Sequence, residues 1–132
     1  MKHKTIETFR AVATFGAKKG YSEEMIPISD FKKAVTSAQK EINEKLDIKL
    51  SAKISPCSII FSGQDEPSYD LSFIQYPKFP YPVTDLKNAI LQLCENLMEK
   101  LHQNRVVIVY DDETIMLEQN EDQLDPGINF PS

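Results

Sequence analysis

Two separate stretches of the sequence repeat apolar residues at helical spacing. In each stretch the repeat forms one apolar stripe, and an amphipathic helix with one stripe has to bury it against another element. The surrounding segments alternate apolar and polar residues with a period of two, which is typical of half-buried strands. The pattern therefore predicts an α+β fold in which one antiparallel sheet carries both helices on one face. The stripes are Phe31, Val35, Ala38, Ile42 and Leu46, and Leu86, Ile90, Leu93, Leu97 and Leu101.

The element boundaries are predicted from capping and turn residues. Ser29 is predicted to cap a helix over residues 30–46, and Thr84 to cap a second helix over about residues 85–102. The segment SGQDEPS, residues 62–68, is predicted as the turn of a hairpin. A strand–helix–strand pattern occurs twice along the chain. The predicted strands are residues 5–15, two short extended pieces around Pro56 within residues 48–61, residues 69–76, and the hairpin strands 105–110 and 114–119.

The length of 132 residues is that of one domain, which we predict over residues 1–120. An acidic tail without apolar periodicity follows over residues 121–132. No window approaches the roughly 18 apolar residues of a membrane span. The polar start MKHKT does not resemble a signal peptide. We therefore expect a cytoplasmic protein that contacts no membrane.

Charge and cysteine content argue against several kinds of partner. The net charge is −5, and no cluster of Lys and Arg has the density that long DNA or RNA requires. Cys57 and Cys94 are isolated thiols without a CxxC motif, so both are predicted to be reduced packing residues. Neither His3 nor His102 forms a cluster with them at ligand spacing, so we expect no metal site and no cofactor.

Familiar catalytic motifs are missing from the sequence. There is no GxSxG, no Walker-type glycine loop and no HExxH. The carboxylates Asp111, Asp112 and Glu113 lie in a predicted hairpin turn, where solvation is the simpler interpretation. A tautomerase of similar layout would use an amino-terminal proline, and position 2 is Lys2. The expectation is a protein that binds a ligand and is not an enzyme.

Polar residues on the second helix and the strand after it are candidate ligand contacts. Arg105 starts the predicted strand, where a guanidinium can bind a phosphate through two hydrogen bonds. The simpler alternative for Arg105 is a salt bridge to a helix carboxylate such as Glu99. Asn88 lies about one turn into the second helix, away from the apolar stripe, with Gln92 on the same outer side. Such amides can bind ribose hydroxyls or base edges, or they can simply be hydrated.

The segment PKFPYP, residues 77–82, holds two aromatic residues between three prolines. Phe79 and Tyr81 are thereby fixed in an extended linker just before the second helix. Rigid rings beside the N–H groups of a helix start suit a stacked base and a bound phosphate. The alternative is that both rings attach the linker to the core. With Asn88 and Arg105, these residues belong to one helix and its flanks, so they can face one cleft or a cleft shared with a second copy.

The chain resembles the phage-encoded anti-Thoeris nucleotide sponges, the first-described type of Thoeris anti-defence protein. The resemblance rests on the layout of helices and sheet, on FPYP leading into the helix that holds Asn88, and on QNRVVIVYDDE. It covers roughly residues 5–119. It implies that the chain sequesters a cyclic ADP-ribose isomer made by bacterial TIR-domain proteins, without cleaving it, and so blocks anti-phage immunity.

The resemblance also implies an assembly and residue roles. Members of this family form homodimers or larger rings, with a second site for small cyclic oligonucleotides in the larger assembly. Adenine would stack on Phe79, and Asn88 and Arg105 would hold ribose and phosphates. Val107 stands where the family has a polar residue, which is a departure from the pattern. Two further cations are candidate helpers without motif support: Arg10 and Lys18.

Two other functions are compatible with the same sequence. The first is a small protein-interaction module that docks a host protein through the polar face of the second helix and the acidic tail. The second is a small hydrolase or isomerase that acts on a nucleotide. A nucleotide that copurifies with the protein, chemically unchanged, would favour sequestration over both.

Overall fold

The computed structural model describes residues 1–19 and 22–119. Over this part of the chain, strands and helices follow one another in the predicted order. The acidic tail predicted over residues 121–132 lies outside the described residues. In the described part of the chain, neither helix combines the length and the hydrophobicity of a membrane-spanning segment. The elements are β1 (Arg10–Gly16), α1 (Ile28–Leu46), β2 (Lys53–Phe61), β3 (Gln64–Ile74), α2 (Val83–Lys100), β4 (Arg105–Tyr110) and β5 (Thr114–Glu118).

The strands form one antiparallel sheet in the order β2-β3-β1-β4-β5. β1 is the central strand and pairs with β3 on one side and β4 on the other. α1 connects β1 to β2, which are parallel to each other and separated by β3. In the same way, α2 connects β3 to β4 across β1. The strand–helix–strand pattern that occurs twice in the sequence thus corresponds to two interlocked split β-α-β units.

Both helices pack on one face of this sheet, as predicted. On the central strand, Ala13 lies between Leu71 of β3 and Ile108 of β4, and all three are fully buried. The ring of Phe31 on α1 lies 5.8 Å from the ring of Phe15 on β1, measured between centroids. The apolar stripes of both helices join these residues in a single buried cluster. The predicted α+β class is confirmed.

The predicted helix caps are wrong, because each helix begins one residue before its predicted cap. The residues at the cap positions are Pro27 and Pro82, and neither Ser29 nor Thr84 caps its helix. The carbonyl of each proline accepts hydrogen bonds of 3.0 Å from two N–H groups of the first turn. Proline suits this position because its φ is fixed near −60° and it has no N–H of its own.

The first strand starts five residues later than predicted. β3 ends opposite Arg10, at Ile74, so the residues before Arg10 have no paired neighbour in the sheet. One backbone hydrogen bond, from the Gln75 N–H to the Phe9 carbonyl at 3.1 Å, continues the contact for one step. The alternation of apolar and polar residues therefore begins at residue 5, before the paired part of the strand begins at Arg10.

The hairpin of β2 and β3 is longer than predicted. Strand pairing continues to the ends of both strands, so only Ser62 and Gly63 form the turn, and the turn predicted over residues 62–68 is wrong. Both turn residues have positive φ, 50° and 78°, as two-residue hairpin turns require. Pro56 does not divide β2, because β2 lies at the edge of the sheet, where a missing N–H is tolerated.

Candidate functional site

The helices leave one face of the sheet open, and we call it the uncovered face. It is formed by the strand residues that alternate with those of the core. Several of the chain's polar and charged residues therefore lie side by side with apolar ones on this face. Its main residues are Arg10, Val12, Thr14, Cys57, Asp70, Ser72, Arg105, Val107, Val109, Met116 and Glu118.

Arg105 lies on the uncovered face, at the start of β4. Its partner in the register is Glu118 of β5, and the distance from Nη2 of Arg105 to Oε2 of Glu118 is 3.6 Å. The alternative drawn from the sequence was a salt bridge to a helix carboxylate such as Glu99; the structure has the salt bridge, but with a strand carboxylate. The side chain of Arg105 is 28% exposed. A phosphate at this position would have to compete with Glu118.

Asn88 and Gln92 lie on α2 and are joined to each other. Nε2 of Gln92 donates a hydrogen bond of 3.2 Å to Oδ1 of Asn88. Asn88 is exposed near the start of the helix, whereas Arg105 follows its end. The helix rises about 18 Å between Asn88 and Lys100, at about 1.5 Å per residue. Within one chain, Asn88 and Arg105 therefore lie at opposite ends of α2 and do not share a cleft.

The two aromatic residues of the linker have different surroundings. Phe79 is 57% exposed, and Nζ of Lys78 lies 5.7 Å from the centre of its ring. Tyr81 is half-buried, and Gln75 donates to its carbonyl and accepts from its N–H at 2.7 and 2.9 Å. The Tyr81 hydroxyl accepts the Lys49 N–H at 3.2 Å. Tyr81 thus attaches the linker to the body of the protein, while Phe79 presents its ring to solvent beside a cation.

The candidate helpers both have carboxylate partners. Nη2 of Arg10 lies 3.5 Å from Oδ1 of Asp111, and Nζ of Lys18 lies 2.8 Å from Oε2 of Glu23. The ion pair with Lys18 lowers the pKa of Glu23. Each of these two cations is therefore already paired with a carboxylate.

A groove of about 240 Å³ lies between α1 and α2 on the outer side. Of the predicted ligand contacts it includes only Gln92. Lys100 donates a hydrogen bond of 3.0 Å to Glu41, and Asn96 donates a second one to the same carboxylate, so the pKa of Glu41 is lowered. With three glutamates and one lysine, the groove does not favour a phosphate. Its lining residues are Glu41, Ile42, Lys45, Gln92, Glu95, Asn96 and Glu99.

A polar cluster of Thr14, Asp70 and Cys57 lies in the middle of the uncovered face, and it was not predicted from the sequence. Oγ1 of Thr14 donates a hydrogen bond of 2.6 Å to Oδ1 of Asp70, its partner across the β1–β3 pair. Asp70 is half-buried. Burial and the nearby Asp70 carboxylate raise the pKa of the Cys57 thiol, so the thiol is protonated at neutral pH. In the sequence Asp70 is only one polar position of an alternating strand, and no local signal distinguishes it.

The charges on the uncovered face around Asp70 and in the groove between the helices favour a ligand with positive charge. Asp70 is a partly desolvated carboxylate, and the helix groove carries an excess of carboxylates. The two arginines of the chain are both in ion pairs. A carboxylate that is partly removed from water attracts a cation more strongly than one in bulk solvent does. Phe79 with Lys78 is the exception, because this pair suits a base and an anion.

Two solved structures share this fold over most of the chain. A phage S-adenosylmethionine (SAM) lyase in complex with S-methyl-5′-thioadenosine matches with a TM-score of 0.67 and 16% identity, covering 93% of this chain and 98% of that chain. A phage SAM lyase in the apo state matches with a TM-score of 0.69 and 16% identity, covering 87% and 92%. At this level of identity the likeness shows a common fold.

Comparisons of sequence give no further relatives. No protein-family model matches the chain, and no curated protein matches it significantly. The resemblance to the nucleotide sponges therefore has structural support only in that the fold occurs in a phage protein, one structure of which holds an adenosine derivative. The roles assigned to Phe79, Asn88 and Arg105, and the homo-oligomer, stay predictions.

The same comparison corrects the expectation that the protein is not an enzyme. The structures that share its fold are those of a lyase. The expectation rested on missing motifs and on the resemblance to the sponges. The absence of a motif excludes only the reactions that this motif performs. The fold of this chain, whose sequence has none of these motifs, thus occurs in an enzyme.

Proposed function

We propose that the protein binds S-adenosylmethionine on the uncovered face and cleaves it to S-methyl-5′-thioadenosine. The observation that carries this proposal is the likeness of the fold, over 93% of this chain, to a SAM lyase that holds the thioadenosine. The charge of the site supports it. The sulfonium and the ammonium of the substrate are cationic, and Asp70 supplies a half-buried carboxylate at the centre of the face.

The reaction explains why no familiar catalytic motif is needed. The bond that breaks joins the sulfonium sulfur to the four-carbon amino acid chain, and its electron pair stays on sulfur. The leaving group is a neutral thioether, so no general acid has to protonate it. The carboxylate of the substrate can form the new bond to the same carbon and close a five-membered lactone. The protein then has to bind and orient the substrate, which by itself can supply a large part of a rate enhancement.

Asp70 is the residue to which we assign the cation. The hydroxyl of Thr14 holds its carboxylate in place at 2.6 Å. Because the positive charge on sulfur disappears as the bond breaks, Asp70 attracts the substrate more than the transition state. The Asp70→Asn variant should therefore raise KM about tenfold or more, with a smaller effect on kcat, since one charge contact at a partly exposed site contributes about 1.4 kcal/mol or more.

The test is incubation of the purified protein with SAM, followed by chromatography for S-methyl-5′-thioadenosine. Glu95→Gln is the matched control, because it removes one carboxylate from the helix groove and leaves the uncovered face unchanged. It should keep the KM of the wild type. If the wild type releases no thioadenosine and calorimetry finds no binding of SAM, the proposal is wrong. If Glu95→Gln has the larger effect, the substrate site is in the groove.

A second candidate function is favoured by Phe79 and its neighbour. The exposed ring can stack on adenine, and Nζ of Lys78 lies close enough to the ring to contact a phosphate of the same ligand. This arrangement supports the binding of a cyclic ADP-ribose-type signal, which the resemblance to the sponges implies. Asn88 and Arg105 would reach the same ligand only from two different chains.

Calorimetry with cyclic ADP-ribose tests this second candidate. Phe79→Ala should weaken binding about tenfold or more, since stacking of a base on an aromatic ring contributes about 1–3 kcal/mol. Ile28→Ala removes an exposed apolar side chain at the start of α1 and should leave the affinity unchanged. Arg105→Ala should abolish binding. If neither Phe79→Ala nor Arg105→Ala changes the affinity, these two residues are not part of the site. Asp70→Asn should weaken the binding of SAM and leave the binding of cyclic ADP-ribose unchanged, so it distinguishes the two candidates.

A further inference from the structure

The uncovered face extends unequally on the two sides of Asp70. Only the edge strand β2 lies on one side of β3, whereas β1, β4 and β5 lie on the other. Since neighbouring strands are about 4.8 Å apart, the face reaches about 5 Å from Asp70 towards β2 and about 14 Å towards β5. The row of residues across the sheet at this level is Ser55, Asp70, Thr14, Val107 and Met116.

The wide side of the face is apolar. Val12 pairs with Val109, and Val107 pairs with Met116, so these four side chains are neighbours. We call them the patch. Val109 is 49% exposed and Met116 is 53% exposed. No residue of the patch carries a charge, and the thioether of methionine packs favourably against aromatic rings. The patch therefore suits an uncharged aromatic ring system.

The narrow side of the face carries a lysine. Lys53 is exposed on β2 and pairs with Ser72, which is two residues from Asp70 on β3. Lys53 and Asp70 are thus diagonal neighbours, about 7–8 Å apart at the backbone, a distance that a long side chain can span. Within the described ranges Lys53 takes part in no ion pair, whereas both arginines are paired with carboxylates. Its ammonium is therefore available to an anionic group of a ligand held at Asp70.

We propose that SAM crosses the uncovered face in one direction, with its adenosyl group on the patch and its carboxylate at Lys53. This orientation rests on the proposed lyase function and adds to it the residues that bind the two ends of the substrate. The sulfonium divides SAM into a long uncharged adenosyl group and a short amino acid chain. With the sulfur at Asp70, the ribose places adenine over the patch. The shorter chain brings the carboxylate towards Lys53.

The reverse orientation is unfavourable at both ends of the substrate. The carboxylate would lie on the valines of the patch, where no described side chain of the patch can replace the hydrogen bonds that it makes with water. Adenine would extend past β2, because the sheet ends one strand beyond Asp70. The asymmetry of the face thus matches the asymmetry of the ligand in one direction only.

This orientation also serves the proposed lactone closure. An oxygen of the carboxylate attacks the carbon bonded to sulfur from the side opposite to sulfur, and the electron pair of the broken bond stays on sulfur. Lys53 and the patch lie on opposite sides of Asp70, so they hold the attacking group and the leaving group apart. Holding two reacting groups in line lowers the entropy cost of the step.

Calorimetry with two ligands that are not substrates for this cleavage tests the orientation. S-adenosylhomocysteine and S-methyl-5′-thioadenosine both contain adenosine and a neutral sulfur, but only the first has a carboxylate. Met116→Ala should weaken the binding of both ligands about fivefold, because both lose the same apolar contact. Lys53→Met should weaken S-adenosylhomocysteine about tenfold and leave the thioadenosine unchanged, because only the first ligand loses a charge contact.

Each variant has a matched control away from the face. Met25→Ala removes a methionine of similar exposure, 46%, from the loop before α1. Lys40→Met removes an exposed lysine from α1, on the covered side of the sheet. Both controls should keep the affinities of the wild type for both ligands. Thermal unfolding of all four variants checks that the fold is intact.

The orientation is wrong if the wild type binds neither ligand, or if Met116→Ala leaves both affinities unchanged. It is equally wrong if Lys53→Met affects both ligands alike. The lyase proposal is judged separately, by the release of thioadenosine from SAM. If the variants show the expected pattern and SAM is not cleaved, the orientation is supported and the lyase proposal fails. If SAM is cleaved and the pattern is absent, the lyase proposal stands and the orientation is overturned.

Discussion

At the scale of single residues, Tyr110 is a buried phenol whose oxygen has no hydrogen-bond partner among the described residues. Its ring lies 6.0 Å from that of Phe9, and Nζ of Lys87 lies 4.9 Å from the centre of the ring. Burial raises the pKa of Tyr110 to about 12 from an ordinary value of 10.0. The ring contributes packing, and the hydroxyl contributes no hydrogen bond to another described residue.

Replacing Tyr110 by phenylalanine is therefore expected to leave stability at pH 7 unchanged or raised by up to about 1 kcal/mol, because no hydrogen bond is lost. Above pH 10 the phenol ionises in the unfolded chain before it does so in the fold. The stability of the wild type should then fall towards pH 12 by about 1.4 kcal/mol per pH unit from this group. Urea unfolding from pH 7 to 11 should show a smaller fall for Tyr110→Phe. An equal fall in both proteins would contradict the buried state of the phenol.

Gln103 is a buried amide that connects three separate backbone groups. Its Oε1 accepts the Gly16 N–H at 3.2 Å, and its Nε2 donates to the carbonyls of Lys18 at 2.8 Å and Leu101 at 3.3 Å. Gln103→Ala leaves all three groups without this partner, and we expect a loss of about 2 kcal/mol in the free energy of unfolding. Gln64→Ala, at an exposed position, should change it by less than about 0.5 kcal/mol. If the two variants unfold at the same urea concentration, the hydrogen bonds of Gln103 do not stabilise the fold.

At the scale of elements, the β2–β3 turn uses a residue that is not the best for its conformation. Ser62 and Gly63 both have positive φ, and asparagine adopts this region more readily than serine does. Ser62→Asn should therefore stabilise the protein by about 0.5 kcal/mol. Gly63→Ala should destabilise it by about 1 kcal/mol through backbone strain alone, since no atom lies within 4 Å of the added Cβ. Denaturant unfolding measures both; a loss of stability in Ser62→Asn would show that the turn has another conformation in solution.

The segment before each helix determines where that helix begins. Each helix follows a proline whose extended backbone orients the incoming chain and whose carbonyl begins the hydrogen-bond pattern. For α2 the same linker carries Phe79, so the backbone that starts the helix also holds this ring in solvent. A capping serine or threonine typically contributes about 1 kcal/mol. Here Pro27 and Pro82 stand at the cap positions, and their rigid backbone determines where each helix starts.

At the scale of the whole molecule, small residues on the central strand allow two helices to share one face. Ala11 and Ala13 are 1% and 0% exposed under the helices. Larger side chains there would push the helices off the sheet, because a packed core has no space to absorb added volume. The position of both helices therefore depends on the small size of these two residues.

Ala13→Leu is expected to lower the free energy of unfolding by about 2 kcal/mol, through overpacking between the sheet and the helices. Val12→Leu, one position earlier, adds one methylene on the uncovered face and should cost much less. Guanidinium unfolding of the two variants, side by side, measures the difference. Equal midpoints would mean that the core accepts the extra volume and that the packing described for β1 is wrong.

Much of the fold could be predicted from the sequence, and less of the candidate site. The stripes through Phe31 and Leu93 identify both helices and their buried sides, because the period of each element follows from its local backbone geometry. Residue roles need contacts between distant parts of the chain. Thr14 and Asp70 are 56 positions apart and meet only because β1 and β3 pair in one register. The pairing of Arg105 with Glu118 is settled by the β4–β5 register in the same way.

The sequence by itself determined the kinds of element, their order and the sides that they bury, since periodicity and turn chemistry act within a few residues. The tertiary structure decided which strands are neighbours, how far the β2–β3 hairpin extends and which side chains share the uncovered face. Those features depend on long-range pairing, where a shift of one residue moves every side chain of a strand to the other face of the sheet. For this reason Asp70 can be recognised as a candidate only in the folded chain. For the same reason Asn88, in the first half of α2, and Arg105, after the end of α2, are far apart although both were predicted to contact one ligand.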